Sequence, residues 1–146
     1  NEPLIKSRKR IGKFDLIIEG KTNLLISVGN ILKFVIEASK KLKRIKINNS
    51  VIDLRYVKPL DNKVLRIAFK KYERIFVIEE HYTSGGVGSS IIEWSKKNQF
   101  NSNQVILLGA DNKFVHSSGD QFSARDKVGL SVNKIVKRIK KIVNKY

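Results

Sequence analysis

One segment, Arg74–Trp94, restricts the possible folds of this chain more than any other part of its sequence. It reads RIFVIEEHYTSGGVGSSIIEW: an apolar run, charged residues, a glycine-rich turn and a second apolar run. The uninterrupted run Ile75–Ile78 is typical of a strand that is buried on both faces, as in a parallel sheet covered by helices. The glycines permit a close approach of the backbone, and Ser89 or Ser90 can cap a following helix. The segment therefore predicts strand, turn and helix, with the charged residues at the point where the strand leaves the core.

The rest of the chain repeats this alternation of short apolar runs and amphipathic segments. Further strands are predicted within Gly12–Glu19 and at Leu24–Val28, Ser50–Leu54 and Val105–Leu108. Helices are predicted after the capping residues Asn30 and Asp61, within Gln121–Lys127 and over Ser131–Asn144. Strands that alternate with helices predict an α/β domain with a largely parallel sheet between helix layers.

Length and composition limit the class of protein further. A chain of 146 residues suits one domain with its own core, and we expect a linker over residues 1–12 and the domain over residues 13–146. The sequence has no cysteine, which excludes disulfides, thiolate metal sites and a cysteine nucleophile. It has no methionine either, so we expect a piece of a longer polypeptide. Without a visible signal peptide or an apolar run near the roughly 20 residues that span a bilayer, the expected location is the cytoplasm and no membrane partner is expected.

The formal net charge of +17 favours adhesion to polyanions, and nucleic acid is the obvious candidate. The basic residues are densest at Lys6–Arg10, Lys40–Lys46 and Lys134–Lys145. None of these runs is interleaved with the aromatic side chains that stack on bases. We therefore expect nucleic acid to bind only non-specifically. The alternative of a dedicated basic nucleic-acid-binding module stays open at this point.

Polar loops follow the predicted strands, and open α/β sheets bind ligands at that edge. These loops begin at or include Gly29, Arg55, Glu79–Gly88 and Gly109–Gly119. The GGVGS turn could donate backbone N–H groups to an anion at a helix N-terminus, which would suit a small phosphate ligand. However, the turn lacks the lysine of a P-loop. The simpler interpretation is that its glycines let a strand and a helix pack closely.

The titratable residues of these loops do not assemble an active site by themselves. Glu79 and Glu80 are adjacent, so on an extended strand they point to opposite faces and do not form a cooperating acid and base. One of them is expected to cap a helix or to pair with a nearby Arg or Lys. His81 and His116 could in principle bind a metal together with a loop aspartate, but unrelated loop histidines are the favoured interpretation.

Taken in order, several segments resemble the C-terminal domain of the transketolase and deoxyxylulose-phosphate synthase family, whose enzymes depend on thiamine diphosphate. They are IGK (Ile11–Lys13), LLISVGN (Leu24–Asn30), DLRYVKPLD (Asp53–Asp61), VIEEH followed by GGVGSS (Val77–Ser90) and DNKFVHSSG followed by GL (Asp111–Leu130). The EEH and glycine turn look most like transketolases, including their split C-terminal subunits. The VKPLD element also looks like deoxyxylulose-phosphate synthase, and the DLR element is similar to the beta subunit of pyruvate dehydrogenase-type enzymes.

The resemblance implies a five-stranded, mostly parallel but mixed sheet flanked by helices. It implies thiamine diphosphate and Mg²⁺ in the full enzyme, held between pyrophosphate-binding and pyrimidine-binding domains that this chain lacks. We therefore carry over no catalytic, cofactor-binding or metal-binding residue, and expect no cofactor in this chain alone. The implied partners are those two domains, in the same chain or a separate subunit, within a homodimer or a heterotetramer.

The implied role is that of an accessory, dimer-supporting domain that is not catalytic alone. The enzyme would transfer two-carbon ketol units between sugar phosphates, or would be a deoxyxylulose-phosphate synthase that makes an isoprenoid precursor. The candidate contacts with other domains lie in the strand-end loops. They are Arg55, Lys58, Asp61, Glu79, Glu80, His81, Gly85, Gly86 and Gly88.

Overall fold

The computed structural model describes residues 9–11, 14–54, 60–82, 86–110 and 130–145, which form a six-stranded sheet with helices on both faces. The strands are β1 (Lys9–Ile11), β2 (Phe14–Ile18), β3 (Asn23–Val28), β4 (Asn49–Leu54), β5 (Arg74–Tyr82) and β6 (Val105–Ala110). The helices are α1 (Leu32–Arg44), α2 (Asn62–Lys71), α3 (Val87–Lys97) and α4 (Val132–Asn144). A short 3₁₀ turn, Ser102–Gln104, precedes β6.

The sheet is mixed, with the strand order β1-β2-β4-β3-β5-β6. Strands β4, β3, β5 and β6 are parallel to one another, whereas β2 pairs antiparallel with β4 and with β1. The predicted α/β class with a mostly parallel, mixed sheet is confirmed. The strand expected within Gly12–Glu19 is β2. The short β1 lies in the stretch predicted as a linker and adds one edge strand to the five that were expected.

The two faces of the sheet carry separate hydrophobic clusters. Along β5, Ile75 and Val77 face the cluster that includes α2 and α3, while Phe76 and Ile78 face the cluster that includes α1 and α4. All four side chains are fully buried. This agrees with the prediction, drawn from the uninterrupted apolar run, that the strand is covered on both sides.

The helix starts follow the sequence signals in only part of the fold. The Asp61 carboxylate accepts a hydrogen bond from the Val64 N–H at 3.2 Å, which confirms Asp61 as the cap of α2. Helix α1 instead has Ile31 at its N-cap position, without a side-chain cap. The expectation for Asn30 was therefore wrong by one residue, because Ile31 is fully buried in the core and its packing sets where the helix begins.

Helix α3 begins at Val87 with Gly86 at its N-cap, so the prediction that Ser89 or Ser90 caps it was also wrong. The predicted helix at Gln121–Lys127 lies outside the described residues. Within the described ranges, no helix has the length and the apolar character needed to cross a membrane.

Candidate functional site

The carboxyl ends of β3 and β5 meet at the point where the chain connections diverge. These neighbouring strands are parallel, and Val28 pairs with Glu79 at their ends. Helix α1 follows β3 on one face of the sheet, whereas α3 follows β5 on the other. Such a switch point is where open α/β sheets form a ligand crevice. Among the strand-end residues singled out from the sequence, Glu79 and Glu80 lie at this edge of the sheet.

The central feature of this edge is the contact between Glu79 and the first turn of α3. One carboxylate oxygen of Glu79 accepts the Val87 N–H at 3.0 Å, and the other accepts the Gly88 N–H at 3.2 Å. The Glu79 side chain is only 1% exposed. A buried carboxylate with two backbone donors thus caps a helix from a residue on the neighbouring strand.

The contact is favourable because it satisfies both the first N–H groups of α3 and the buried carboxylate of Glu79. The first N–H groups of a helix have no partner within the helix, and the helix dipole favours a negative charge near them. A buried carboxylate, in turn, is costly unless hydrogen bonds satisfy it. Glu79 therefore supplies the cap that was expected from a serine, which explains why Ser89 and Ser90 lie inside α3 instead of before it.

Gly86 and Gly88 make room for this contact. A Cβ on Gly86 would lie 2.5 Å from one Glu79 carboxylate oxygen, and a Cβ on Gly88 would collide with the side chain of Leu107 on β6. Gly88 is itself buried. The glycines thus let α3 approach β5 and β6 closely, which agrees with the simpler of the two interpretations of the GGVGS turn.

Glu80 points away from Glu79, as the alternation of a strand requires. Its carboxylate lies near Gly29, where a Cβ would be 3.8 Å from one oxygen, and its side chain is half-buried. The prediction that the two glutamates diverge is confirmed. The expectation that charge begins where the strand leaves the core was wrong for Glu79, because β5 continues to Tyr82 and Glu79 is enclosed under α3.

Of the remaining candidate residues, some lie in helices or strands and others lie outside the described residues. Asp61 caps α2, and His81 belongs to β5. Arg55, Lys58 and Gly85 lie outside the described residues, as does the loop with His116. In the described part of the chain, no group of three or more His, Cys, Asp or Glu side chains could hold a metal ion.

Reasoning from the sequence missed a second buried polar contact, at the opposite end of the sheet. The Ser50 hydroxyl donates to the Gly20 carbonyl at 3.0 Å and accepts the Gly20 N–H at 2.9 Å. It also accepts the Tyr72 hydroxyl at 2.7 Å. A serine in a strand predicted to lie in the core was the available signal, since a fully buried hydroxyl needs partners.

A cavity of about 500 Å³ lies at the amino ends of β5 and β6. Its polar lining includes Arg74, Asn101, Gln104 and Lys145. The Gln104 amide is already engaged, because it donates to the carbonyls of Phe69 and Tyr72.

Residues 12–135 match the family model for "Transketolase, C-terminal domain". Among similar curated proteins, the 1-deoxy-D-xylulose-5-phosphate synthase of Cytophaga hutchinsonii is 30% identical over 132 residues, which is 90% of this chain and 20% of that protein. The same enzyme of Vibrio parahaemolyticus is 33% identical over 129 residues, 88% of this chain and 20% of that protein. The chain thus spans about a fifth of the length of these relatives.

Two solved structures share the fold. A split-gene transketolase, in the form of an inactive tetramer of beta subunits, superposes with a TM-score of 0.78 at 24% identity, over 91% of this chain and 43% of that one. A transketolase from Campylobacter jejuni superposes with a TM-score of 0.64 at 16% identity, over 97% of this chain and 20% of that one. At these identities the similarity establishes the fold.

Proposed function

Because the chain belongs to the transketolase C-terminal domain family, we propose that it is the accessory C-terminal domain of a thiamine-diphosphate-dependent enzyme of the transketolase type. The enzyme would transfer two-carbon ketol units between sugar phosphates, in the cytoplasm. The observation that carries this proposal is the family match over residues 12–135, which is nearly the whole chain.

The Glu79 contact supports an accessory role for the strand-end edge. The Val87 and Gly88 N–H groups are the donors that an anionic ligand would need at this turn, and both are bonded to Glu79. An external phosphate would have to displace a buried carboxylate from them. We infer that this edge fixes the start of α3 and does not serve as a phosphate cradle.

For the same reason, the described residues do not fit thiamine diphosphate and its metal ion. The amide donors of the α3 N-terminus are taken, and the described part of the chain offers no cluster of metal ligands. The cofactor would instead lie in the pyrophosphate-binding and pyrimidine-binding domains of the enzyme, in the same polypeptide or a separate subunit. We assign no catalytic step to this chain.

The proposed contribution of this chain is to pack against those domains and to support a dimer or heterotetramer. The contact candidates remain Glu80 and His81 at the end of β5, together with Arg55, Lys58 and Gly85. Since Glu79 is buried, it would act indirectly by fixing where α3 begins. Interface elements that are already ordered lower the entropy cost when two domains associate, and Glu79 holds the first turn of α3 in place.

A second candidate is the deoxyxylulose-phosphate synthase branch of the same family. It is favoured by the curated relatives, which are 1-deoxy-D-xylulose-5-phosphate synthases in both cases described above. The two candidates differ in the reaction of the whole enzyme but not in the role of this domain.

The test is to tag this chain in its native cells and to purify the polypeptide or complex that carries it. We expect that material to contain a pyrophosphate-binding and a pyrimidine-binding domain, and to bind thiamine diphosphate with Mg²⁺ in calorimetry. Assays for ketol transfer between sugar phosphates and for formation of 1-deoxy-D-xylulose 5-phosphate then separate the two branches. Micromolar binding of thiamine diphosphate to the 146-residue chain alone, or purified material with neither activity, would overturn the proposal.

A further inference from the structure

The structure brings two of the basic runs of the sequence together on one face. Helices α1 and α4 both bury their apolar sides in the same hydrophobic cluster, so they lie side by side on one side of the sheet. The Lys41 ammonium group donates a hydrogen bond to the Asn133 side chain at 3.0 Å, which links the two helices at the surface. Runs that are far apart in the sequence therefore form one continuous surface.

This surface, called the α1/α4 face below, is strongly cationic over the residues of its two helices and their ends. Its exposed basic residues are Lys33, Lys40, Lys41, Lys43, Arg44, Lys46, Lys137, Lys140, Lys141 and Lys145. Glu37 is the one acidic residue within the two helices. Like charges at this density repel one another, and a polyanion relieves that repulsion by neutralising them.

The opposite helical layer, α2 and α3, is a useful contrast. Its basic side chains are in part engaged locally: Arg66 donates to the Asn98 side chain at 2.7 Å, and Lys97 lies 3.9 Å from the Glu93 carboxylate. The Lys71 ammonium group lies over the Tyr72 ring. Each layer has one acidic residue within its two helices, but α1 and α4 together carry ten basic residues, whereas α2 and α3 carry six.

We propose that the α1/α4 face binds duplex nucleic acid through the phosphate backbone and without sequence preference. Each helix has 13 residues and is therefore about 20 Å long, which corresponds to about six base pairs of a duplex. Two packed helices lie about 8–10 Å apart, so the face is wide enough to follow one groove and its flanking phosphates. This second binding property goes beyond the proposed role in a metabolic enzyme.

The chemistry of the face selects this partner over others. The only aromatic residue in α1 and α4, Phe34, is buried, so these helices offer no stacking surface for a single strand. Every exposed residue within α1 and α4 is charged or polar, and their apolar side chains are buried or half-buried against the core, so these helices present no exposed apolar face to a membrane. The buried centres of protein interfaces are depleted of charge and enriched in aromatic residues, which is the opposite of this face.

The test is a fluorescence anisotropy titration of the full 146-residue chain with labelled DNA over a series of salt concentrations. Two duplexes of unrelated sequence should bind equally and more tightly than a single strand of the same length. Affinity should fall linearly on a log–log plot against salt, with a slope of about −0.9 for each phosphate that the protein neutralises.

Matched triple variants locate the surface. Lys40→Gln, Lys137→Gln and Lys140→Gln together should weaken duplex binding about tenfold and flatten the salt slope by about 0.9 for each phosphate that is no longer neutralised. The control combines Lys63→Gln, Lys70→Gln and Lys96→Gln, which remove the same charge from the opposite layer and should leave the slope unchanged. Circular dichroism checks that both variants remain folded.

Three outcomes would overturn the proposal. The first is that the two triple variants weaken binding equally, because net charge alone would then explain the affinity. The second is preference for the single strand or for one duplex sequence. The third is retention on phosphatidylserine vesicles that matches duplex binding and disappears in the same triple variant, which would assign the face to an anionic membrane surface.

Discussion

Two buried polar junctions hold the sheet at opposite ends, and they solve the same problem by different chemistry. At the carboxyl end of β5, the charged Glu79 is satisfied by two backbone N–H groups of α3. At the amino end of β4, the neutral hydroxyl of Ser50 is satisfied by Gly20 and Tyr72. We call these the carboxyl-end junction and the amino-end junction.

The two junctions differ in the charge of the buried group and in how its hydrogen-bonding capacity is satisfied. A serine hydroxyl offers one donor and two acceptor positions, and Ser50 uses all three. The Glu79 carboxylate is charged and lies at the N-terminus of α3, where the helix dipole favours a negative charge. The carboxyl-end junction is therefore the more sensitive of the two to removal of charge.

The largest effect is expected from Glu79→Gln. The amide keeps the shape of the side chain but removes the charge and turns one acceptor into a donor that faces an N–H group. We expect the free energy of unfolding to fall by about 3 kcal/mol, measured by chemical denaturation. Glu80→Gln, on the half-buried neighbour, should cost less than about 1 kcal/mol. Equal decreases in the two variants would contradict the claim that the Glu79 charge contributes more to stability than that of Glu80.

The next effect tests the amino-end junction with Ser50→Ala. This change leaves the Tyr72 hydroxyl and both backbone groups of Gly20 without their partner in a buried site. We expect the free energy of unfolding to fall by about 2 kcal/mol, also by chemical denaturation. A decrease as large as that of Glu79→Gln would contradict the idea that charge makes the carboxyl-end junction the more sensitive one.

Gly86→Ala examines the space around Glu79. The backbone of Gly86 has φ −89° and ψ −170°, which alanine also adopts, so any cost comes from the close approach to the carboxylate. We expect a decrease of about 1–2 kcal/mol in unfolding free energy, as for other overpacked sites. In a Glu79→Ala background the same change should cost at least about 0.5 kcal/mol less. Additive effects in this double-mutant cycle would show that the two residues do not interact.

The smallest effect is expected from Tyr72→Phe. It removes one of the bonds to Ser50 and leaves both bonds to Gly20 in place. We expect a decrease of about 1 kcal/mol in the same denaturation experiment. Combining it with Ser50→Ala should add little, since both changes remove the same bond, and full additivity would place the Tyr72 hydroxyl outside this network.

The sequence predicted the fold well because hydrophobic periodicity is a local signal. Ile75–Ile78 indicated a strand covered on both sides, and Asp61 indicated the start of α2, since a cap and its helix are neighbours in the chain. The family resemblance added the mixed sheet. These features needed no knowledge of which residues meet across the fold.

The junctions were only partly predictable because they depend on residues that are distant in the sequence. The adjacent glutamates indicated that one would cap a helix, but not that it would be Glu79 capping α3 from β5. Ser50 and Gly20 are 30 residues apart, and no pattern within either segment reveals their contact. Tertiary packing also outweighed local capping at Ile31, whose burial decided where α1 begins.

The strand order has a consequence for how the chain folds during synthesis. Strand β3 lies between β4 and β5, so each of its neighbours is made later than β3 itself. Of the strand pairs in this sheet, only the β1–β2 hairpin can form before β4 is made, and isolated hairpins are marginal in water. The central strand β3 therefore cannot pair with its neighbours until β4 and β5 have left the ribosome. A fragment of this domain that stops after α1 is expected to stay unstructured.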